Sequence, residues 1–153
     1  MARQRQHSLT AFDLACRWLA RVPHSRVEVD RYLRRLGFSD RAVATALARL
    51  DELHFIDDRE FARSRAQALA ARGYGDAWIA AALERHGIEG EAAALALAAI
   101  APEPERARRV AGTTVRGGRM RSWNLLLRRG FSEASAEAVL GSPDADQGEP
   151  GWG

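Results

Sequence analysis

The chain has no lysine and a single cysteine among its 153 residues. One cysteine, Cys16, excludes an intrachain disulfide, and no group of Cys and His residues has the spacing of metal ligands. No apolar run approaches the roughly 20 residues that span a bilayer, and the first residues lack the hydrophobic region of a signal peptide. We therefore expect a cytoplasmic protein that binds no metal and contacts no membrane.

The sequence also has few of the patterns that carry catalysis. Asp57 and Asp58 are the adjacent carboxylates that invite a catalytic role, but neighbouring residues of a helix point about 100° apart. The glycines at 73–75 and 117–118 follow helical segments rather than strands, and no Lys-Ser/Thr pair comes after them, so they form no phosphate loop. His86 is expected at a helix end on the surface. We expect a protein that is not an enzyme and needs no cofactor.

Apolar residues recur at the spacing of amphipathic helices along the chain. The first helix is expected to run over residues 10–22, where Pro23 stops it. Two later helix starts have the pattern of a capping box, in which the first residue caps the helix and an acid three positions on returns a hydrogen bond. The predicted capping residues are Ser25 with Glu28, and Asp57 with Glu60.

Aligning the sequence on three glycines reveals four columns of similar residues. The glycines are Gly37, Gly87 and Gly130. The columns are Leu33, Leu83 and Leu126 four residues before the glycine; Arg35, Arg85 and Arg128 two before; Phe38, Ile88 and Phe131 one after; and Leu47, Leu97 and Leu140 ten after. A general preference of helix–glycine–helix units for these residue types would give the same columns. A true repeat is the other explanation.

The columns and the helix signals predict an all-α fold of three tandem three-helix repeats. The repeats are expected at residues 10–56, 57–101 and 102–141, stacked as an elongated, curved helical array of right- or left-handed sense. The flanking segments 1–9 and 142–153 are expected to be disordered, and the second is acidic. Such an array presents an extended face, which favours binding a long partner over enclosing a small substrate.

Charge is distributed unevenly along the chain. Residues 1–56 carry a net charge of +4, residues 57–105 carry −4, and residues 106–153 carry +3. The arginines of the last part lie in a stretch without acids, and Trp123 among them is available for stacking. The candidate binding residues are Arg106, Arg108, Arg109, Arg116, Arg119, Arg121, Trp123, Arg128 and Arg129, with Arg35 and Arg85 of the shared column. A solvated arginine face and a core tryptophan are the alternatives.

Five segments resemble the RecX family of regulatory proteins. They are Leu-Ala-Arg to His-Ser-Arg-Val-Glu at 19–28, Leu to Gly-Phe at 33–38, Ile-Asp-Asp with Phe-Ala at 56–62, Arg-Gly to Gly-Ile at 72–88, and Leu to Arg-Gly-Phe at 126–131. The resemblance spans about residues 11 to 140, and the Ile-Asp-Asp-x-x-Phe-Ala element is its most specific part. The chain departs from the family pattern at Val22–Pro23 and in carrying its charge on arginine alone.

The resemblance implies three tandem three-helix units and a modulator, usually an inhibitor, of the RecA recombinase. Members of the family are thought to lie along the groove of the RecA filament on DNA, where they lower ATPase and strand-exchange activity. The expected partners are therefore the RecA filament and single- or double-stranded DNA, and the expected state is a monomer. A helical-repeat module that acts directly on DNA is the alternative function.

Overall fold

The computed structural model describes residues 9–113 and 118–142, and the regular elements in those ranges are all α-helices. The predicted all-α class is therefore confirmed. The nine helices of the described residues are α1 (Ala11–Leu19), α2 (Arg26–Arg35), α3 (Asp40–Glu52), α4 (Asp58–Ala71), α5 (Asp76–Arg85), α6 (Gly90–Ala98), α7 (Glu103–Gly112), α8 (Arg119–Arg128) and α9 (Glu133–Leu140). Within the described ranges, no helix is both long and apolar enough to cross a membrane.

Some predictions concern residues outside these ranges. The predicted disordered ends fall there apart from residues 9 and 142, and so does Arg116.

The helices bury their apolar side chains in three separate cores, one for each successive set of three helices. We call α1–α3 the first group, α4–α6 the second group and α7–α9 the third group. Leu33 and Leu50 are fully buried in the first group, Ile79 and Leu83 in the second, and Leu126 in the third. Full burial of such a side chain stabilises the fold by about 1.5–3 kcal/mol. The closest helix packing, such as that of α4 with α6 and of α7 with α9, is within a group.

The second helix of each group ends in the same way. Its terminal glycine adopts a left-handed backbone, with φ of +88° at Gly37, +72° at Gly87 and +81° at Gly130, which glycine adopts without a Cβ penalty. The apolar residue after the glycine donates its N–H to the leucine carbonyl five residues back: Phe38 to Leu33 at 3.3 Å, Ile88 to Leu83 at 3.0 Å, and Phe131 to Leu126 at 3.1 Å. This is a Schellman motif. The aligned columns therefore mark one helix end that occurs in all three groups.

One of the two predicted capping boxes forms completely. The Ser25 Oγ accepts the Glu28 N–H at 3.3 Å, and the Glu28 carboxylate accepts the Ser25 N–H at 2.9 Å. The Asp57 Oδ1 accepts the Glu60 N–H at 3.0 Å, which caps α4 as predicted. However, the Glu60 carboxylate bonds to Arg63 at 2.7 Å rather than to the Asp57 N–H. The predicted return bond of Glu60 is wrong because an arginine one turn along the helix takes its carboxylate.

The first helix is shorter than predicted, since it ends at Leu19 rather than at Val22. Pro23 disfavours helical backbone at Val22, the residue before it, so the helix does not extend through Val22. A stack of aromatic rings lies at this helix end. The Trp18 indole stacks on His24 and on Tyr32, with ring centroids 3.6 and 4.3 Å apart.

Candidate partner-binding surface

The first and second groups are joined at the start of α2. The Ser25 Oγ donates a hydrogen bond to the His86 carbonyl at the end of α5, at 2.5 Å. The Arg26 N–H, first in α2, donates to the Asp58 Oδ1 at 2.8 Å. The His86 Nδ1 lies 2.8 Å from the Glu28 Oε1. His86 was expected at the surface but lies half-buried in this boundary, because its ring and its carbonyl both contact the cap of α2.

The second and third groups are joined by equivalent contacts at the start of α5. The Gly75 N–H donates to the Arg129 carbonyl at the end of α8, at 2.8 Å, and the Ala77 N–H donates to the Gly130 carbonyl at 3.1 Å. The Asp76 N–H, first in α5, donates to the Glu103 Oε1 at 2.8 Å. In both boundaries, the first residue of a leading helix supplies a carboxylate that caps the second helix of the preceding group.

Two carboxylates therefore cap a neighbouring helix, and sequence reasoning identified neither role. The sequence pattern presented Asp58 only as half of an acidic pair, and it did not single out Glu103. Both are the first residue of their helix. An acid at that position stabilises its own helix through the helix dipole, so the sequence does not show that it also caps a helix of the preceding group. The recurrence of an acid at this position in α4 and in α7 was the available signal.

The environments of these two carboxylates shift their pKa values in opposite directions. Burial would raise the pKa of Glu103, but hydrogen bonds from Ser132, from Ser135 and from the Asp76 N–H together hold it below its ordinary value. Burial raises the pKa of Asp58, and its one backbone bond from Arg26 does not offset that effect. Both carboxylate oxygens of Glu103 therefore accept hydrogen bonds, whereas the contacts of Asp58 offset only part of the cost of burying its charge.

Two glycines let the second and third groups approach closely. A Cβ built on Gly75 would lie 2.3 Å from the backbone of Gly130 and of Phe131, and a Cβ on Gly130 would lie 2.6 Å from the Trp78 nitrogen. Atoms of the backbone cannot move aside as a flexible side chain can. The backbones of the two groups are therefore in direct contact at this boundary.

Arg106 was predicted to contact a partner, and that prediction is wrong. Its side chain is 3% exposed. The guanidinium donates to the Ala101 carbonyl at 2.8 Å, to the Tyr74 carbonyl at 2.6 Å and to the Asp76 carboxylate. It also lies over the Phe131 ring, 5.8 Å from the centroid. Arg106 therefore makes its contacts within the boundary between the second and third groups, because a buried guanidinium needs hydrogen-bond acceptors on several sides.

Most other candidate arginines are exposed, and no carboxylate lies within 4 Å of them among the described residues. The exposed set is Arg35, Arg85, Arg108, Arg109, Arg121 and Arg128. Arg119 and Arg129 are half-buried. By contrast, Arg34, Arg59 and Arg63 each pair with an acid. The third group thus presents cationic side chains whose charge is not neutralised locally, and α8 carries Arg121 and Arg128 two turns apart on one face.

Trp123 contributes to the third core as well as to the surface. It is half-buried and packs against the buried cluster around Leu126 and Phe131. Trp123 is therefore not a fully exposed platform for base stacking. The alternative, a core tryptophan, describes the buried part of its side chain.

The paired aspartates of the 57–58 element have structural partners. Asp57 caps α4, and Asp58 caps α2 across the group boundary. In the portion of the chain that the structure describes, no set of three His, Cys, Asp or Glu residues is arranged to hold a metal ion. Both carboxylates are therefore explained by helix ends.

Comparison with known proteins identifies similar sequences and folds. Residues 11–50 match the family model described as RecX, first three-helix domain, and residues 57–97 match that described as RecX, second three-helix domain. A regulatory protein RecX of Stenotrophomonas maltophilia strain K279a is 33% identical over 151 residues, covering 93% of each chain. That of Chlorobaculum tepidum is 46% identical over 63 residues, covering 41% of this chain and only 39% of that protein. A crystal structure of RecX from Lactobacillus salivarius superposes with a TM-score of 0.75 at 21% identity, covering 84% of this chain and 91% of the other.

Proposed function

Because this chain belongs to the RecX family of regulatory proteins, we propose that it binds the RecA filament as a monomer and mainly inhibits it. The activities it lowers are the ATPase, recombinase and coprotease activities of RecA, in DNA repair and the SOS response. The protein acts by binding rather than by catalysis, in the cytoplasm.

The architecture supports binding to a long partner. The three helix groups have separate cores, and at both boundaries an acid that begins one group's leading helix accepts the first backbone N–H of the preceding group's second helix. Repetition of this carboxylate cap supports an arrangement of the groups as three repeats in an elongated, curved array. A filament groove is itself long and lined by repeating subunits, which suits such an array.

The surface charge of the third group is the observation that carries the proposal. Arg108, Arg121 and Arg128 are exposed and lack a carboxylate within 4 Å among the described residues. Guanidinium groups in this state bind phosphates and carboxylates without first breaking an ion pair. The third group therefore contacts the DNA phosphates or the acidic surface of the filament groove.

A charge-matched substitution series tests this contact. The first variant combines Arg108→Ala, Arg121→Ala and Arg128→Ala, and the control combines Arg34→Ala, Arg59→Ala and Arg63→Ala. Each removes three positive charges from exposed arginines, but those of the control are already paired with acids. We expect the first variant to inhibit the DNA-dependent ATPase of RecA at least tenfold more weakly than the control. Equal inhibition by two variants that fold normally by circular dichroism refutes the contact.

Direct action on DNA is the second candidate, and the same unpaired arginines favour it. It requires tight binding to DNA without RecA, with an affinity that falls steeply as salt increases. Binding of a fluorescent oligonucleotide over a series of salt concentrations separates the two candidates. Filament binding at a salt concentration that abolishes binding to bare DNA supports the first.

A further inference from the structure

A cleft of about 230 Å³ lies at the boundary between the second and third groups. Three helices end at its walls. The residues that cap those ends are Arg72 for α4, Thr113 for α7 and Arg129 for α8. The remaining walls come from 70–73 and from the face of α7 that carries Arg109 and Val110. The cleft is therefore built by both groups.

The cleft concentrates positive charge. The guanidinium-bearing residues Arg72, Arg109 and Arg129 line it, and none of its lining residues is acidic. No carboxylate within the described ranges lies within 4 Å of these three guanidinium groups. Arg106 also reaches the wall, but Asp76 balances its charge. The Arg72 guanidinium lies over the Tyr74 ring, 5.4 Å from its centroid, a contact that leaves its N–H donors, like those of Arg109 and Arg129, available to a ligand.

Helix ends account for only part of this charge. Each helix carboxyl terminus carries roughly half a negative charge, so three of them offset about one and a half of the three arginine charges. A surplus of about one and a half positive charges remains in a concave site. Neutralising the helix ends therefore does not fully explain why three arginines lie together in this cleft.

Gly73 brings two of the arginines from different groups together. Its φ is +83°, and a Cβ at this position would lie 2.8 Å from the Arg129 Nη1 and 3.0 Å from the Val110 Cγ2. The absence of a side chain therefore lets the Arg129 guanidinium of the third group lie against the turn that follows Arg72 of the second. A ligand between them contacts both groups at once.

We propose that this cleft binds a phosphate group through Arg72, Arg109 and Arg129, and that binding fastens the second group to the third. Arginine presents a planar fork of donors that matches phosphate oxygens. The volume suits a phosphate or one phosphodiester link and is below the usual range of sites for drug-sized ligands. The phosphate comes from a nucleic-acid backbone or from a free anion. The first source rests on the proposed function, whereas the binding site itself does not.

Thermal unfolding with and without inorganic phosphate tests the site. The variant is Arg72→Gln combined with Arg109→Gln, and the control is Arg41→Gln, an exposed arginine of the first group. Because a ligand stabilises the state that binds it, we expect millimolar phosphate to raise the melting temperature of the unaltered protein and of the control, relative to chloride of equal ionic strength. We expect no such rise in the double variant. A rise of equal size in the double variant, or none in the unaltered protein, overturns the proposal.

Binding of a short single-stranded oligonucleotide then distinguishes the two sources. A loss of about tenfold or more in the double variant relative to Arg41→Gln, with competition by phosphate, supports a nucleic-acid source. A phosphate effect that depends on the arginines without any change in oligonucleotide binding supports a free anion. Neither readout involves RecA, so failure of the proposed function leaves this site intact, and failure of the site leaves filament binding to be judged by ATPase inhibition.

Discussion

Replacing Arg106 with alanine is expected to destabilise the protein through the boundary between the second and third groups. The substitution removes hydrogen bonds to the Ala101 and Tyr74 carbonyls and leaves the Asp76 carboxylate without its partner. An unsatisfied buried polar group costs about 1–3 kcal/mol, and removing one partner of a buried ion pair costs about 3–5 kcal/mol. Asp76 is 45% exposed and stays hydrated, so the lower part of these ranges applies. The expected loss is about 3 kcal/mol.

Urea unfolding followed by circular dichroism measures this loss, and thermal unfolding should show a fall of about 6–12 °C. The matched control is Arg108→Ala, which removes the same side chain two residues away at an exposed position of the same helix. Surface substitutions of that kind usually change stability by less than about 0.5 kcal/mol. If the free energies of unfolding of the two variants differ by less than this amount, Arg106 does not hold the boundary together and the reasoning is refuted.

Three other substitutions test helix ends and the close boundary. Asp57→Ala should cost about 0.5–2 kcal/mol through the lost cap, with inhibition of RecA affected only indirectly; normal unfolding with abolished inhibition would make this element a contact site instead. Gly75→Ala should cost about 1–3 kcal/mol in urea unfolding, because the added Cβ meets backbone at 2.3 Å, while Gly112→Ala, which meets nothing within 4 Å, should cost nothing. Since the pKa of Glu103 is depressed in the folded state, its ionisation contributes stability that is fully present above its ordinary pKa and is lost as the pH falls through the lowered pKa of the folded state. The unfolding midpoint of Glu103→Gln should therefore fall less than that of the unaltered protein on acidification, and parallel curves would contradict this role.

Local features of the fold were predictable from the sequence. The helix ends at Gly37, Gly87 and Gly130 are set by a few neighbouring residues, because only glycine adopts the required backbone without strain. The caps at Ser25 and Asp57 depend on donors three residues away. Interactions of that range are visible as spacings, so the pattern predicted them.

Contacts between the groups were not predictable in this way. Arg106 meets Asp76, which lies 30 residues earlier, and Ser25 meets the His86 carbonyl, which lies 61 residues later. The acid-free stretch that begins at Arg106 suggested an exposed cation, because the acidic partner of Arg106 lies in another helix group. Whether a charged residue is exposed depends on such distant partners, and the spacing of residues along one helix does not reveal them.

Because some candidate arginines are buried and others are exposed, fewer residues remain as candidates for contact with a partner. Arg106 serves the boundary, whereas Arg108, Arg121 and Arg128 keep their charge accessible. Alanine scanning of the third group should therefore separate two effects. Loss of stability belongs to the boundary residue, and loss of binding in a stably folded protein belongs to the exposed set.

Co-sedimentation with RecA filaments tests filament binding most directly. The protein is mixed with filaments assembled on single-stranded DNA and, separately, with the same amount of bare DNA, at a salt concentration that suppresses binding to phosphates alone. We predict that the protein pellets with filaments and remains in the supernatant with bare DNA, and that the Arg108, Arg121 and Arg128 alanine variant remains in the supernatant in both. Equal pelleting with bare DNA, or no pelleting with filaments, would contradict the account.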